Sequence, residues 1–540
     1  MILASKPKLV LSLHASDTTS IHRPSMTGLW MSLYRLGIKY PSPTQRPGNL
    51  TWNLTNNEIL LNWQGQDLPV VDWLLKKSFL INQQGLIEFI GSPPMDLVNQ
   101  IHVHKAIYDT FLRLHWFYEK DKVRSEAIKI QDSSIKLQYP ALKEYAHQTF
   151  AGTLCDEFGN LIDSYIRIVS WLYPGATVRH AKLGSVTKIE EKVEYAFVLL
   201  FLPVVCRYFR LISNSTKQDK KQATRHVIVI PDVDDFTESA NRLWQTPNLE
   251  YKDCFVANLE EAALKYYAES TLDLTSTQHC QVLLYEKLNK KARQRIIYEN
   301  DDFSVTPQAI KDYQFVSQHL IDNKIFIKEK SFTVKANSIR AIIAYNLASE
   351  LPWWWDLWEK LYQTDPLESE ALEQQLVFNH RGLFAMFSQD PKLDMYQDFM
   401  RAFHEALRRI YAKTYDKKRT KAANNQRIEK KYQSIRSELS QCYDQESLED
   451  FLADFLSRAG LNSSLYDKWE EILPLIVDEV KWKKTRNLSL LALASYKPKG
   501  SFFKNILVRF WTKLLEVNHQ AAVLFLIKKP LAEVFPQTEN

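Results

Sequence analysis

Residues 50–63 read Leu50-Thr-Trp-Asn-Leu-Thr-Asn-Asn-Glu-Ile-Leu-Leu-Asn-Trp63. Two runs rich in Leu, Ile, Thr and Trp flank Asn56-Asn57, a pair suited to a tight turn, so the stretch predicts a β-hairpin. Working outward, residues 8–15 predict a first strand. Met26–Gly37 predicts a helix ending on a glycine cap. A short helix near Pro69–Lys77 and a strand near Gly85–Phe89 follow. Strands and helices mixed at such short spacing predict an α+β module with short antiparallel sheets.

Farther along, residues 95–120 carry a long helical pattern, and residues 160–173 read as helix up to Pro174-Gly175. Tyr195–Cys206 is densely apolar but only about the length of a strand and a turn, far short of the ~20 residues of a membrane span. Residues 213–225 read as a polar, basic loop, and His226–Ile230 as a short buried strand. From Asp394 onward the pattern is helical. Tyr396, Met400, Phe403, Leu407 and Ile410 recur at the spacing of one helix face, and Leu448, Phe451, Leu452 and Phe455 repeat it. Leu488–Tyr496 and Ile506–Leu515 add further helices. The expected organisation is an α+β body over 1–375 followed by an α-helical bundle over 390–540.

Composition narrows the chemistry. Only 13 of 540 residues are glycine, none between Gly184 and Gly382, and neither G-x-G-x-x-G nor G-x-x-x-x-G-K occurs. A standard nucleotide-binding core is therefore not expected. The cysteines Cys155, Cys206, Cys254, Cys280 and Cys442 form no C-x-x-C pair, which points to buried thiols in a reducing compartment. Without a leader-like start or a long apolar run, the chain reads as cytoplasmic, with no membrane association. His102 and His104 form H-x-H, but positions i and i+2 of a helix point apart, so no metal site is expected there. Asp232, Asp234 and Asp235 follow a strand. They read either as the acidic start of a helix or as a Mg²⁺ cluster of a nuclease or phosphohydrolase. Trp353-Trp354-Trp355 and Trp358 read as core or interface rather than as a stacking platform.

The charge is uneven. Net charge is +6, yet residues 401–440 hold 12 Lys/Arg against 4 Asp/Glu, and residues 481–529 hold 11 against one, Glu516. The rest of the chain is therefore acidic overall. Concentrated positive charge is the footprint of a polyanion-binding face. Lys417, Lys418, Arg419, Lys421, Arg427, Lys481, Lys483, Lys484 and Arg486 are the candidate phosphate contacts to DNA. Arg179, His180 and Lys182, after the Pro174-Gly175 turn, are candidates for duplex or guide-handle contact. Acidic protein partners are the rival reading of the basic bundle.

Several segments resemble a known family. Leu9-Val-Leu-Ser-Leu-His-Ala, Ile21-His-Arg-Pro-Ser-Met-Thr-Gly-Leu-Trp and Phe89-Ile-Gly after Gly85-Leu-Ile-Glu are similar to the large subunit of type I CRISPR effector complexes (Cascade) of the I-MYXAN subgroup. So are Trp171-Leu-Tyr-Pro-Gly-Ala-Thr-Val-Arg-His, Thr187-Lys-Ile-Glu-Glu, Leu199-Leu-Phe-Leu-Pro-Val-Val-Cys and Leu490-Leu-Ala-Leu-Ala-Ser-Tyr. The resemblance implies a non-catalytic subunit without cofactor. It implies recognition of the protospacer-adjacent motif on duplex DNA, stabilisation of the R-loop, and recruitment of a helicase–nuclease, or of a transposition adaptor in transposon-borne versions. The implied partners are CRISPR RNA, target double-stranded DNA, the displaced single strand and the other Cascade subunits. The segment 390–540 resembles the family's helical small subunit, and Met386, Met395 and Met400 sit where an internal start would fall.

Overall fold

The computed structural model describes residues 7–111, 123–130, 133–168, 190–212, 225–270, 274–287, 296–320, 324–328, 331–335, 337–355, scattered positions between 357 and 390, 393–458, 469–478 and 481–496. Two compact units result, Met1–Trp355 and Asp356–Asn540. In the first, the order is β1 (Leu9–Ser12), α1 (His22–Lys39), β2 (Thr51–Leu54), β3 (Glu58–Asn62), α2 (Leu68–Ser78), β4 (Phe79–Ile81), β5 (Ile87–Phe89) and α3 (Leu97–Thr110). Then come β6 (Val123–Ile130), β7 (Ser133–Pro140), α4 (Ala151–Leu154), β8 (Tyr165–Arg167), β9 (Glu190–Lys192), α5 (Val193–Leu199), α6 (Leu202–Val205) and β10 (Arg207–Leu211). The unit continues with β11 (Arg225–Pro231), α7 (Phe236–Gln245), β12 (Phe255–Val256), α8 (Leu259–Ala268), β13 (Gln278–Lys287), β14 (Ile296–Val305), α9 (Pro307–His319), β15 (Lys324–Lys328), β16 (Ser331–Lys335) and α10 (Ser338–Ala348). The class is α+β, as the sequence predicts.

The expected hairpin is β2–β3, closing from Leu54↔Ile59 across Thr55–Asn57, with β1 added antiparallel on the far side of β3. Ile59 and Leu61 are fully buried and alternate with partly exposed neighbours, the period of a strand with one face in the core. The larger sheet runs β12-β10-β11-β13-β14, antiparallel except for the β10–β12 pair. Alternation places helices on both its faces. His226 of β11 meets Asp109 of α3 at 2.9 Å, while the next residue, Val227, and its β10 partner Phe209 turn to the other face, where the Phe209 ring lies 5.8 Å from the Lys265 ammonium of α8. Trp353 and Trp354 are buried in this unit. Asn346 of α10 donates to the carbonyls of Trp353 and Trp355, at 3.2 and 2.6 Å; the rings of Trp353 and Trp354 are core rather than platform, while Trp355 is only partly buried. Trp358 lies outside the described residues.

Two expectations fail for local reasons. The first helix does not stop at Gly37. Gly37 stays helical, within ordinary van der Waals reach of the Trp52 indole. The stop comes at Tyr40, held at φ −129°, ψ 73° before Pro41, since a residue preceding proline is driven out of the helical region. Residues 160–173 contain a strand instead of a helix. Ile166 is buried between exposed Tyr165 and Arg167, and the three pair with β9. Residues 169–173, the Pro174-Gly175 turn and residues 112–120 lie outside the described residues.

The apolar run Tyr195–Cys206 forms two short helices, α5 and α6, buried almost throughout and packed on α1. The approach is close. A Cβ on Gly28 would stand 2.3 Å from the Phe201 carbonyl oxygen, a distance no side chain tolerates. Ser25, Thr27 and Ser32 line the same helix. Their hydroxyls donate back to the carbonyls of Ile21, Arg23 and Gly28, so small polar residues are buried without unmet hydrogen bonds.

Gly28→Ala is expected to destabilise the first unit by about 1–3 kcal/mol through overpacking. Gly152, where a Cβ would meet nothing within 4 Å, serves as the control, and its alanine variant should match the parent. Urea midpoints read by tryptophan fluorescence compare the two, and equal midpoints would refute the packing argument.

Candidate nucleic-acid interface

The second unit holds α11 (Asp394–Thr414), α12 (Lys421–Ser440), α13 (Gln445–Ser457), α14 (Trp469–Val477) and α15 (Trp482–Ser495). Phe399, Phe403, Leu407, Ile435, Leu452, Phe455, Leu488 and Leu491 are buried in its core, which follows the predicted spacing. Side-chain contacts orient the helices. Lys484, at the start of α15, lies over the Tyr396 ring at 4.5 Å, and Tyr496, just past its end, stacks on Tyr411 at 6.3 Å. So α15 runs parallel to α11. Arg486 donates to the Ser440 carbonyl at 3.3 Å, which sets α15 antiparallel to α12.

This arrangement separates the two basic clusters that the sequence groups together. Lys417, Lys418, Arg419 and Lys421 surround the α11–α12 turn. Lys481, Lys483, Lys484 and Arg486 lie at the opposite end of the bundle, beside the C-terminus of α12. The twenty residues of α12 span about 30 Å at 1.5 Å each.

The nine candidates differ in what they can offer a phosphate. Lys417, Lys418 and Lys483 are exposed. Arg419 is exposed, but its Nε donates to Asp416 at 3.2 Å, and Arg427 is half-exposed with a nitrogen 3.8 Å from the same carboxylate. Lys481 pairs with Asp478 at 2.9 Å. Lys484 is partly buried, which lowers its pKa, with Asp390 opposing the shift. Arg486 ties two helices together. The side chain of Lys421, the first residue of α12, lies outside the described ones. Sequence reasoning passed over Lys430 and Lys431, which continue Arg427 at i+3 and i+4. That spacing was the available signal, because it puts the three on one helix face.

In the first unit, Arg179, His180 and Lys182 fall outside the described residues, as do Lys217, Lys220 and Lys221 of the polar loop. The three aspartates do not converge. Pro231 ends β11 rather than breaking it. Asp232 takes the Arg23 guanidinium at 2.9 Å, Asp234 is exposed, and Asp235 caps α7 by accepting from the Glu238 amide at 2.8 Å. Capping is thus what the structure gives Asp235. His102 and His104 also part company. The His102 Nε2 bonds the Tyr208 carbonyl at 2.8 Å. His104 donates through Nε2 to the Pro140 carbonyl and accepts the Ile87 amide at Nδ1, which fixes a neutral ring. Among the described residues no three His, Cys, Asp or Glu form a metal-ligand set. All five cysteines are buried and free, and burial pushes the thiols up, Cys155 and Cys442 to about 11. No helix of the described residues is long and apolar enough to cross a membrane.

Comparison with known proteins bears on both units. The model of the DevT N-terminal domain matches residues 10–200, and that of the DevT C-terminal domain matches residues 390–508, together more than half of the chain. The chain belongs to the DevT family, the Myxococcus-type large subunit of the CRISPR Cascade complex. A curated relative, the CRISPR-associated protein Cas8a1/Csx13 of Myxococcus xanthus (strain DK1622), is 25% identical over 533 residues. The match covers 91% of this chain and 89% of the relative.

The buried histidines make the first unit acid-sensitive. Burial lowers the pKa of His102 and His226 and takes His104 to about 4. The unfolded chain binds these protons near pH 6.5 and the folded chain does not, so stability falls as pH drops from about 6.5 toward 4. His104 alone accounts for about 3 kcal/mol across that window. Urea midpoints at stepped pH should show the slope. A flat profile between pH 4 and 6.5 would contradict the burial of these rings.

Proposed function

We propose that this chain is the non-catalytic large subunit of an RNA-guided DNA surveillance complex. In this reading the first unit, with residues through about 375, docks on CRISPR RNA and neighbouring Cascade subunits and recognises the protospacer-adjacent motif on target duplex. The second, from about 390, holds the displaced single strand through its phosphates, and the whole recruits a helicase–nuclease or a transposition adaptor. Family membership across both units is the observation that carries the reading. The exposed lysines at the two ends of the bundle support its electrostatic part, because phosphate neutralisation by lysine dominates such binding. Base pairing by the guide then reads the target, while the protein reads the short flanking motif and the backbone.

The rival, a Mg²⁺-dependent nuclease built on Asp232, Asp234 and Asp235, loses ground to their divergent partners, Arg23 for one and a helix N-terminus for another. The test is binding of the assembled complex, with and without this subunit, to target duplex carrying matched or scrambled flanking bases, with magnesium present. Tight binding is expected only with both the subunit and the matched flank, and without cleavage by the purified subunit. Magnesium-dependent cutting lost in Asp232→Ala, or binding indifferent to the flank, would overturn the proposal.

A further inference from the structure

The α11–α12 turn, residues 415–420, is held in one shape. Asp416 accepts from the Lys418 amide at 3.0 Å and from the Arg419 guanidinium, which keeps its carboxyl below the usual carboxylate range. Buried Asn424 closes the turn from inside. Its Oδ1 accepts the Asp416 amide at 2.9 Å, and its Nδ2 donates to the Asp416 carbonyl at 2.8 Å. Thr420 caps α12 by accepting the Ala423 amide at 3.3 Å. These bonds fix the backbone that carries the turn's remaining side chains. Those are Tyr415, 52% exposed, and the exposed Lys417 and Lys418. Arg427, within reach of Asp416, joins the turn to Lys430 and Lys431 along α12. None of these four lysines makes an ion pair with a described residue. The patch thus joins an exposed aromatic face on a rigid turn to a line of cations.

We propose that Tyr415 stacks on an unpaired base of a single strand whose phosphates lie on Lys417, Lys418, Lys430 and Lys431. The inference rests on the reading of the second unit as a single-strand binder and deepens it. Phosphate contacts alone favour any polyanion, duplex included. A stacking ring needs an exposed base face, so Tyr415 supplies the preference for unpaired DNA. The cations provide the salt-dependent part of binding and the ring a part that salt does not screen.

The experiment titrates the full-length chain against a labelled 20-nucleotide single strand, the same strand with abasic sites, and its duplex, across a salt series. Tyr415→Ala should weaken single-strand binding about tenfold with an unchanged salt slope, and Tyr415→Phe should restore it to within about twofold. The abasic strand should bind parent and Tyr415→Ala equally. Lys417→Ala with Lys418→Ala should flatten the salt slope by about 0.7 per charge removed. If Tyr415→Ala binds the single strand as the parent does while the lysine variant flattens the slope, stacking is overturned and the phosphate reading stands. If the chain binds none of the three probes, both fall. If Tyr415→Ala weakens all three alike, its effect is structural and the inference fails.

Discussion

Much of the first unit hangs on the contact between α1 and the short helices α5 and α6. The Gly28 Cα lies against the Phe201 carbonyl so closely that a methyl group has no room. The chain is poor in glycine, and this is a place where one is unavoidable. Through that contact the apolar run Tyr195–Cys206 becomes a buried floor, and Cys206 leads directly into β10 of the central sheet. Gly91 repeats the device on the same helix, a Cβ there falling 2.9 Å from the Ser32 amide. Backbone close packing thus seats α1 against its neighbours, and the Arg23–Asp232 pair and the Asn56–Asp235 hydrogen bond tie α1 and the N-terminal hairpin to the end of β11.

Helix α3 and the central sheet add buried polar groups matched to specific partners. His102, His104 and His226 all reach carbonyl or carboxylate acceptors. Groups so placed fix register, because an apolar replacement would leave their partners unmet. The second unit packs largely through apolar side chains, with Asn424 and Thr485 among its buried, hydrogen-bonded polar exceptions. Its cations divide between those used in packing and those left to solvent. Arg486 and Lys484 belong to the first kind, Lys417, Lys418 and Lys483 to the second. A charge count does not distinguish them, although only the second kind is ready for a ligand.

How much was legible follows from range. The hairpin at 50–63, the strand at His226–Ile230 and the bundle faces at 396–410 and 448–455 are set by local periodicity and were readable. The acidic start of α7 was one of two readings of Asp232–Asp235, and Asp235 fills it by accepting the Glu238 amide. The end of α1 was misread because the glycine signal at Gly37 lost to the stop that Pro41 imposes on Tyr40. The strand at Tyr165–Arg167 was missed because its partner, β9, lies more than twenty residues away. The division of the candidate lysines between the two ends of the bundle was invisible for the same reason, since only folding brings Arg486 to Ser440. Family likeness was legible in scattered segments, yet it named no reading residue. Part of the resemblance lay in packing residues, such as the buried run Leu199–Cys206.

If the proposed phosphate contacts form at both ends, their separation by the length of α12 would make the bundle a bivalent device. A short polyanion would engage one end and gain only that end's affinity. A strand long enough to reach the other would find its second anchor already positioned, so the second contact would form within one molecule at high effective concentration. At the 3.4 Å rise of a stacked strand, the ~30 Å span corresponds to roughly nine nucleotides. Length, and not only charge, would then decide what such a bundle retains.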